Sequence, residues 1–424
     1  MRNYVIIFLL SISIARADVV NLSINAQKHE KASLLLAFIG APNPQNEIMR
    51  PLVKKALEFT HQLQVDAIAV PAIMSKQEAL QKKEQGYSYI AFVIVHPDML
   101  EWHLFSVDDA RMIRNKRIAK SGTHVRGWAY SLADSLYQTL TGAPGFFSTK
   151  IAYIKNVPHG KTHYGHIYIA DYDGSNAQPI VQTATVNVAP RWNKDKNRPL
   201  LFYSEYTNTN MRMMAVDMHQ KRIVASNFDG LNMLPAFGDD GKSVIYCATK
   251  GSNSCHLYYW TNKILKKLTA NDGNNFAPVF AHGGTSIYFT SDFETGRPQI
   301  YAMDLSAGQL ERITGDGYCV SPSYCARNKK IAYSKMVQGI MQLFVYDEAS
   351  KDHIQLTYDS AQKEECSWSP CGTFLLCPVS TGKNKTRIAL FNQVTKEYHY
   401  LTDTNESCHA PAWSISYNEF PVIT

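Results

Sequence analysis

Short runs of apolar and aromatic residues, each interrupted by turn residues, dominate the chain from about residue 150 onward. Two of these runs, KIAYIK at 150–155 and KIAYSK at 330–335, are nearly identical. Runs of this length, rich in aromatic and β-branched residues and bounded by Gly, Pro, Asn and Asp, predict β-strands. A helical repeat would instead place its apolar residues at a period of 3.6. We therefore predict that this part of the chain is all-β.

Three patterns repeat along this all-β part with the same period. The first is an aromatic residue that closes a Pro-containing motif, found at Trp192, Phe237, Phe280, Tyr324, Trp368 and Trp413, with Cys366 replacing the proline once. The second is a strand that ends on a polar residue, at Asp171, Asp217, Thr261, Asp304, Asp347 and Asn392. The third is an apolar–Thr pair, closing at Thr269, Thr314, Thr357 and Thr402. A period of about 45 residues with several short strands in each repeat is typical of a β-propeller blade.

The two ends of the repeat array are out of phase with each other. The first strand, which begins at Lys150, has no aromatic motif before it, and the last motif, at Trp413, has no complete unit after it. An open array would leave unpaired sheet edges at both ends. We therefore predict a six-bladed propeller over residues 147–424, closed by pairing of the strand at Trp413 with the strand at Lys150.

Residues 18–146 have a different pattern, in which apolar strands alternate with helical segments. Strands are predicted at 33–41, 65–73, 87–96, 101–109 and 116–122, and helices at 46–63, 75–83 and 126–142. Ser75 and Glu78 form a capping box, and Gly142 ends the last helix. The fold class is thus an α/β N-terminal domain followed by an all-β six-bladed β-propeller, joined by a short aromatic linker at 142–149.

The first 17 residues have the organisation of a secretory signal peptide. A positive start is followed by an apolar stretch at 4–14 and by Ala15-Arg16-Ala17, which fits an A-x-A cleavage motif. We predict cleavage after Ala17 and export as a protein without a membrane anchor.

Composition and motifs argue against several classes of function. The formal net charge of +7 is modest for 424 residues, and no basic run favours nucleic acid. Neither a G-x-S-x-G, a P-loop, a G-x-G-x-x-G nor an H-E-x-x-H motif occurs. We therefore predict no enzymatic activity, no cofactor and no metal.

All eight cysteines follow residue 246: Cys247, Cys255, Cys319, Cys325, Cys366, Cys371, Cys377 and Cys408. An even number in an exported chain predicts disulfides, although eight cysteines allow 105 pairings. Cys319 and Cys325 flank a predicted strand and would lie about 20 Å apart, too far to bond each other. Cys247 and Cys255 flank a hairpin-like loop and are a candidate pair.

The connections that precede each aromatic motif should gather at one face of the propeller. They combine polar and exposed apolar side chains, as a partner-binding face requires. The predicted contacts are Met233, Leu234, Asn275, Phe276, Tyr318, Glu364 and His409. A second contact is predicted at the mature N-terminus, where Val20, Leu22 and Ile24 alternate as in a strand that adds to a partner's sheet; a strand of the domain's own sheet is the alternative.

Two other interpretations of these connections remain. The same side chains could pack over the central channel as a plug. Alternatively, the chain could be an exported propeller enzyme such as a metal-dependent lactonase, with Asn187, Asn275, Glu364 and Glu365 converging in the channel as ligands.

Ordered segments along the chain resemble the TolB family of the Tol-Pal envelope system. They are LTGAPGFFSTKIAYI (140–154), YIADYDGSNAQ (168–178), FTSDFETGRPQIYAMDLSAGQLERIT (289–314) and APAWS (410–414). The resemblance implies a non-enzymatic adaptor in the periplasm, whose propeller face binds the peptidoglycan-associated lipoprotein (Pal) and whose N-terminus engages a TolA-type inner-membrane protein. It implies a role in outer-membrane integrity and in envelope constriction at division. It places the Pal contact at Met233, Leu234, Asn275 and Phe276, of which Asn275 matches the family pattern. The eight cysteines depart from that pattern.

Overall fold

The structure is a computed structural model that describes residues 31–41, 43–120, 124–160, 162–382 and 385–417. The predicted signal peptide and the predicted N-terminal strand with Val20, Leu22 and Ile24 lie outside these residues.

The N-terminal region is a five-stranded mixed sheet with helices packed against it. Its elements are β1 (Ala32–Ile39), α1 (Pro44–Glu58), β2 (Leu63–Val70), α2 (Lys76–Gln81), a 3₁₀ turn (Lys82–Gln85), β3 (Tyr89–Val95), β4 (Met99–Ser106), β5 (Arg111–Ala119) and α3 (Val125–Thr141). The strand order is β2-β1-β3-β4-β5. β1 runs parallel to β2 and β3, whereas β4 and β5 continue the sheet in antiparallel fashion.

Local sequence signals set the ends of these helices. The Asn43 side chain accepts the backbone N–H of Asn46 at 2.9 Å and so begins α1. The capping box predicted at Ser75 and Glu78 is confirmed, as is the end of α3 at Gly142, which adopts a left-handed φ of 69°.

From Lys150 onward, the described residues form six four-stranded antiparallel sheets. Their strands are β6 (Lys150–His159), β7 (Thr162–Asp171), β8 (Gln178–Val181), β9 (Asn187–Trp192), β10 (Leu200–Tyr206), β11 (Met211–Asp217), β12 (Arg222–Ser226), β13 (Asn232–Phe237), β14 (Val244–Ala248), β15 (His256–Thr261), β16 (Ile264–Lys267), β17 (Asn275–Ala281), β18 (Ser286–Ser291), β19 (Gln299–Asp304), β20 (Leu310–Arg312), β21 (Cys319–Cys325), β22 (Lys330–Val337), β23 (Ile340–Asp347), β24 (His353–Gln355), β25 (Ser367–Trp368), β26 (Phe374–Ser380), β27 (Thr386–Asn392), β28 (Tyr398–Tyr400) and β29 (Cys408–Trp413). A 3₁₀ turn at His282–Gly284 follows β17. The six-bladed propeller is confirmed.

The ring closes as predicted. β29 is the innermost strand of the blade β29-β6-β7-β8 and pairs antiparallel with β6, so that Trp413 lies opposite Ile151. The other five blades each take four consecutive strands, from β9 to β28. The last strand of the chain thus completes the first blade and removes the open edge.

The second and third repeated patterns both have a structural role. At the end of the third strand of a blade, Asp217, Asp304, Asp347 and Asn392 accept backbone N–H groups of the following turn at 2.8–3.0 Å. The threonines of the third pattern are buried, and their hydroxyls accept a backbone N–H of the third strand at 2.8–3.0 Å in four blades, namely those of Thr269, Thr314, Thr357 and Thr402. In these four blades the bonds join the segment that follows the outer strand to the third strand.

An aromatic cluster joins the α/β region to the propeller. Phe146 and Phe147 from the linker are fully buried, and Tyr172 and Phe374 from the propeller pack edge-on or tilted against them at 5.3–5.7 Å between ring centroids. Phe59 from the end of α1 meets both propeller rings at 5.2 and 5.9 Å. The two regions therefore share one continuous hydrophobic core.

Asp134 fixes the linker from the face of α3. Its carboxylate accepts the backbone N–H groups of Phe147 at 2.7 Å and Ser148 at 3.1 Å. Burial nevertheless raises the pKa of Asp134 to about 6, because these hydrogen bonds only partly offset the loss of hydration.

This raised pKa predicts a pH-dependent stability. The folded protein holds the Asp134 proton more tightly than the unfolded chain, so this contribution is full below pH ~4 and is lost as the pH rises to ~6. We expect wild type to lose up to about 3 kcal/mol relative to Asp134→Asn over this window. Urea unfolding of both proteins at pH 4, 5, 6 and 7 measures the difference, and parallel curves would contradict the assignment.

All eight cysteines are buried thiols in this structure. The described residues, which include all eight cysteines, contain no disulfide, so the prediction of disulfides is not met. The two side chains of the candidate pair, Cys247 and Cys255, nevertheless lie in contact with each other in the apolar interior of the propeller, where cysteine packs as a small hydrophobic residue. The prediction that Cys319 and Cys325 cannot bond each other holds, since they occupy the two ends of β21.

Candidate partner-binding face of the propeller

The six innermost strands surround the axis of the propeller. β29, β9, β13, β17, β21 and β25 follow one another in a ring, and each contacts the next. Every innermost strand starts at the end of the ring where the inter-blade connections meet. The aromatic cluster that holds the α/β region lies at the other end, near Trp413 and the start of β6. The α/β region therefore leaves the face formed by the inter-blade connections uncovered.

A bulge position precedes the proline of each innermost strand, or Cys366, which replaces the proline in one blade. The residue at this point is non-glycine with a φ of 49–57°, at Ala189, Leu234, Ala277, Ser321, Glu365 and Ala410. In five blades the register with the neighbouring strand shifts here. A left-handed backbone conformation is uncommon outside glycine. Its recurrence at the same position in all six blades shows that it is part of the repeat structure.

Two positions before the bulge, a buried residue supports each connection. The residues at this support position are Asn187, Asn232, Asn275, Cys319, Lys363 and Cys408, all with no exposed surface. The Asn187 amide donates to the backbone carbonyl of Gly165 at 2.7 Å, and that of Asn232 to Met211 at 2.9 Å. Lys363 replaces the amide in its blade and donates to the carbonyl of Ala361 at 2.6 Å.

Asn275 shows how the support position works. Its Nδ2 donates to the carbonyl of Gly273 at 2.9 Å and to Oδ1 of Asn271 at 2.8 Å, while its Oδ1 accepts from the Ser291 hydroxyl at 2.9 Å. The prediction that Asn275 presents its side chain to a partner is therefore wrong in this structure. Every polar atom of the side chain is used to hold the connection in place.

Between the support position and the bulge lies a set of residues that we call the rim ring: Val188, Met233, Phe276, Val320, Glu364 and His409. Four of the seven predicted propeller contacts, Met233, Phe276, Glu364 and His409, belong to it. Met233, Phe276 and His409 are partly exposed, and Glu364 is exposed. The fold thus places them at the same structural position in four different blades, around one opening.

The two titratable members of the rim ring are both shifted toward the neutral form. Burial raises the pKa of Glu364, and the neighbouring Glu365 carboxylate raises it further. Burial also lowers the pKa of His409, although Glu365 opposes this shift. The rim ring therefore combines apolar side chains with two titratable polar groups, a composition suited to a protein interface.

The remaining predicted contacts differ in exposure. Leu234 was predicted to be an exposed apolar residue, which is wrong: it is the bulge residue of its blade, is only 7% exposed, and packs with Phe280 and Leu257 inside the propeller. Tyr318 lies directly before β21 and is 38% exposed. It extends the face outward from the rim ring.

A cavity of about 370 Å³ occupies the channel on the other side of the bulges, and all six innermost strands line it. Leu234 is the one predicted contact among its lining residues. Arg191 and Glu365 approach to 3.8 Å across it, which is an ion pair too long for a hydrogen bond. The channel is therefore not filled by a plug of rim-ring side chains at this depth.

Two of the four candidate metal ligands of the enzyme interpretation, Asn187 and Asn275, are used for other contacts. The Asn187 amide donates to the backbone carbonyl of Gly165 on β7, and the Asn275 amide donates to that of Gly273 in its own connection, so these two side chains do not converge on the channel. Within the ranges that the structure describes, no group of three or more His, Cys, Asp or Glu side chains is arranged to hold a metal ion.

Sequence reasoning missed the support position, although a signal for it exists. Asn recurs three residues before the proline in three successive repeats, at 187, 232 and 275. Together with zero exposure, this recurrence indicates a structural role for the amide in the repeat.

The model of the TolB beta propeller domain matches residues 137–417, which is more than half of the chain. The chain belongs to the TolB family. The Tol-Pal system protein TolB of Francisella tularensis subsp. mediasiatica (strain FSC147) is 36% identical over 191 residues, covering 43% of each chain. TolB of F. tularensis subsp. tularensis (strain SCHU S4) is also 36% identical over 191 residues, covering 43% of this chain and 42% of the relative. The match thus spans less than half the length of these TolB proteins.

A solved TolB structure has the same fold. The crystal structure of TolB from Acinetobacter baumannii superposes with a TM-score of 0.75 at 23% identity, covering 91% of this chain and 96% of that one. The likeness extends over both the α/β region and the propeller. None of the helices in the described part of this TolB-family chain is long and apolar enough to cross a membrane.

Proposed function

We propose that this protein is a non-enzymatic periplasmic adaptor of the Tol-Pal system, whose propeller face binds a peptidoglycan-associated lipoprotein (Pal). The observation that carries the proposal is the rim ring on a face that the α/β region leaves uncovered. Membership of the TolB family supports the choice of partner. In this role the protein supports outer-membrane integrity and envelope constriction during cell division.

The contacts we propose combine an apolar and a polar side of the rim ring. Met233 and Phe276 lie in neighbouring blades and supply the apolar side, which Tyr318 extends. Glu364 and His409, in two neighbouring blades on the other side, supply the polar side. Asn275 and Leu234 act from below by fixing the connections that carry these side chains.

The test is titration calorimetry of residues 18–424 against the soluble domain of the Pal-like lipoprotein from the same organism. We expect saturable one-to-one binding, weakened at least about tenfold by Phe276→Ala, because aromatic residues at the centre of an interface contribute most of its affinity. Val394→Ala is the matched control, since Val394 is 67% exposed and lies in a β27–β28 turn at the opposite end of the blade.

Absence of binding, or equal weakening by both variants, would contradict the proposed face. The proposed contact of the N-terminal segment with a TolA-type inner-membrane protein requires a separate titration. There, removal of residues 18–25 should abolish TolA binding and leave the affinity for the Pal-like domain unaffected if Val20, Leu22 and Ile24 form the added strand.

A further inference from the structure

β5 is a long free edge of the α/β sheet. It has nine residues and is last in the strand order, and within the described residues it pairs with β4 alone. The outer strands of the six propeller blades, by contrast, have only three to five residues. Short outer strands are one way in which proteins keep sheet edges from pairing with other chains. β5 does not have this protection.

The side chains of β5 form a cationic row. Leu104 and Trp102 of β4 are buried against the helices, and the residues opposite them in β5 are Arg114 and Lys116. Arg111, opposite Ser106, continues the row on the same face of the sheet. All three cationic residues are exposed.

Among the residues that the structure describes, no carboxylate forms an ion pair with Arg111, Arg114 or Lys116. The ion pairs formed at this edge by described residues are Lys83 with Asp108, and Arg117 with Glu101 on the other face of the strand. At the end of the row, the ammonium group of Lys120 lies 4.2 Å above the ring of Trp128 and donates to Gln45 at 3.1 Å. The row therefore offers positive charge beside unpaired backbone groups.

We propose that β5 is the docking strand for an acidic, extended segment of a partner protein, which adds a sixth strand to this sheet. Nine residues at about 3.4 Å each give an edge of roughly 30 Å, long enough for a ladder of several backbone hydrogen bonds. Acidic side chains on alternate positions of the added strand would face Arg111, Arg114 and Lys116. Backbone pairing supplies the affinity and the charge row selects the partner.

This surface is distinct from the propeller face. It does not depend on the proposed binding of a Pal-like lipoprotein, and a failure of either proposal leaves the other standing. The alternative role for the same charges is to guard the edge against any added strand, since charged residues on edge strands discourage association. The two roles predict opposite results with an acidic strand-forming peptide.

The experiment uses residues 18–424 and a fluorescein-labelled ten-residue peptide of alternating Glu and Thr. We expect saturable binding by fluorescence anisotropy, at least about tenfold weaker in 300 mM than in 20 mM salt. We also expect slower amide hydrogen exchange in residues 111–119 when the peptide is bound. The same peptide with Lys in place of Glu should not bind.

Two variants locate the contact. Arg114→Glu with Lys116→Glu should weaken binding at least about tenfold, while Arg114→Lys should retain most of it. The matched control is Lys263→Glu with Lys266→Glu, at the exposed turn and outer strand of the β15–β16 hairpin. No binding of the acidic peptide, equal loss in both double variants, or binding without slower exchange in β5 would overturn the proposal.

Discussion

Replacing Trp413 with alanine is expected to lower the free energy of unfolding by about 3–5 kcal/mol. Trp413 is only 8% exposed, and its indole N–H donates to the Thr149 hydroxyl at 2.7 Å. Its ring packs 5.9 Å from that of Phe146 in the linker. The side chain thus joins the closing strand, the start of the first blade and the α/β region, and its loss leaves a cavity where all three meet.

The measurement is urea unfolding of Trp413→Ala beside Trp260→Ala. Trp260 lies on β15 and is 41% exposed, so the same substitution there removes far less buried surface and should cost below about 1 kcal/mol. Equal losses in the two variants would show that Trp413 has no special part in closing the ring. A larger loss for Trp413 supports the closure seen in the pairing of β29 with β6.

The repeat period was sufficient to predict the propeller and its closure. Each aromatic motif fixes the innermost strand of a blade, and the phase difference between Lys150 and Trp413 leaves the pairing of first and last strands as the way to close the ring. These are long-range consequences of a local pattern repeated six times. A departure from the motif at one position does not change the number of blades. The replacement of proline by Cys366 therefore did not affect the prediction.

The ends of a strand are harder to predict where pairing with a neighbouring strand outweighs the conformational preference of the local sequence. β5 begins at Arg111, five residues before the predicted start, because β4 continues alongside it as far as Ser106. Of the five extra residues, 111–115, Arg111 and Arg114 are charged and Asn115 is of a type common in turns. A strand at the edge of a sheet tolerates such residues, since only one side of its backbone is paired.

The sequence predicted which connections form the candidate site, but not which of their side chains point outward. The sequence places Met233, Phe276, Glu364 and His409 before their bulges, and the propeller symmetry brings them to one opening. It does not reveal that Leu234 adopts a left-handed φ of 52° and is buried. The direction of each side chain depends on a bulge whose residue is not glycine, and therefore has no local signature.

Replacing Asn275 with alanine should lower the free energy of unfolding by about 2–4 kcal/mol, because buried hydrogen-bonding groups lose their partners. The carbonyl of Gly273 and the hydroxyl of Ser291 would both be left with one bond fewer. Asn275→Asp should be at least as harmful near neutral pH, since a carboxylate would face carbonyl oxygens and lose the donor. Lowering the pH should partly restore the stability of Asn275→Asp, because a protonated carboxyl group again has one hydrogen-bond donor.

Urea unfolding at pH 5 and 7 tests both variants, with Asn208→Ala as the matched control in the exposed turn between β10 and β11.

The affinity of the Asn275→Ala variant for the Pal-like domain distinguishes a supporting role of Asn275 from a direct contact with the partner. If Asn275 supports the connection, the folded variant should bind the Pal-like domain at full stoichiometry, with an affinity loss that stabilising osmolytes reduce. If it touches the partner, the affinity loss should persist while stability is unchanged, and Asn275 would have to leave its buried position on binding. The five hydrogen-bonding groups that surround it in the free protein make that movement costly, and the supporting role is the one we expect.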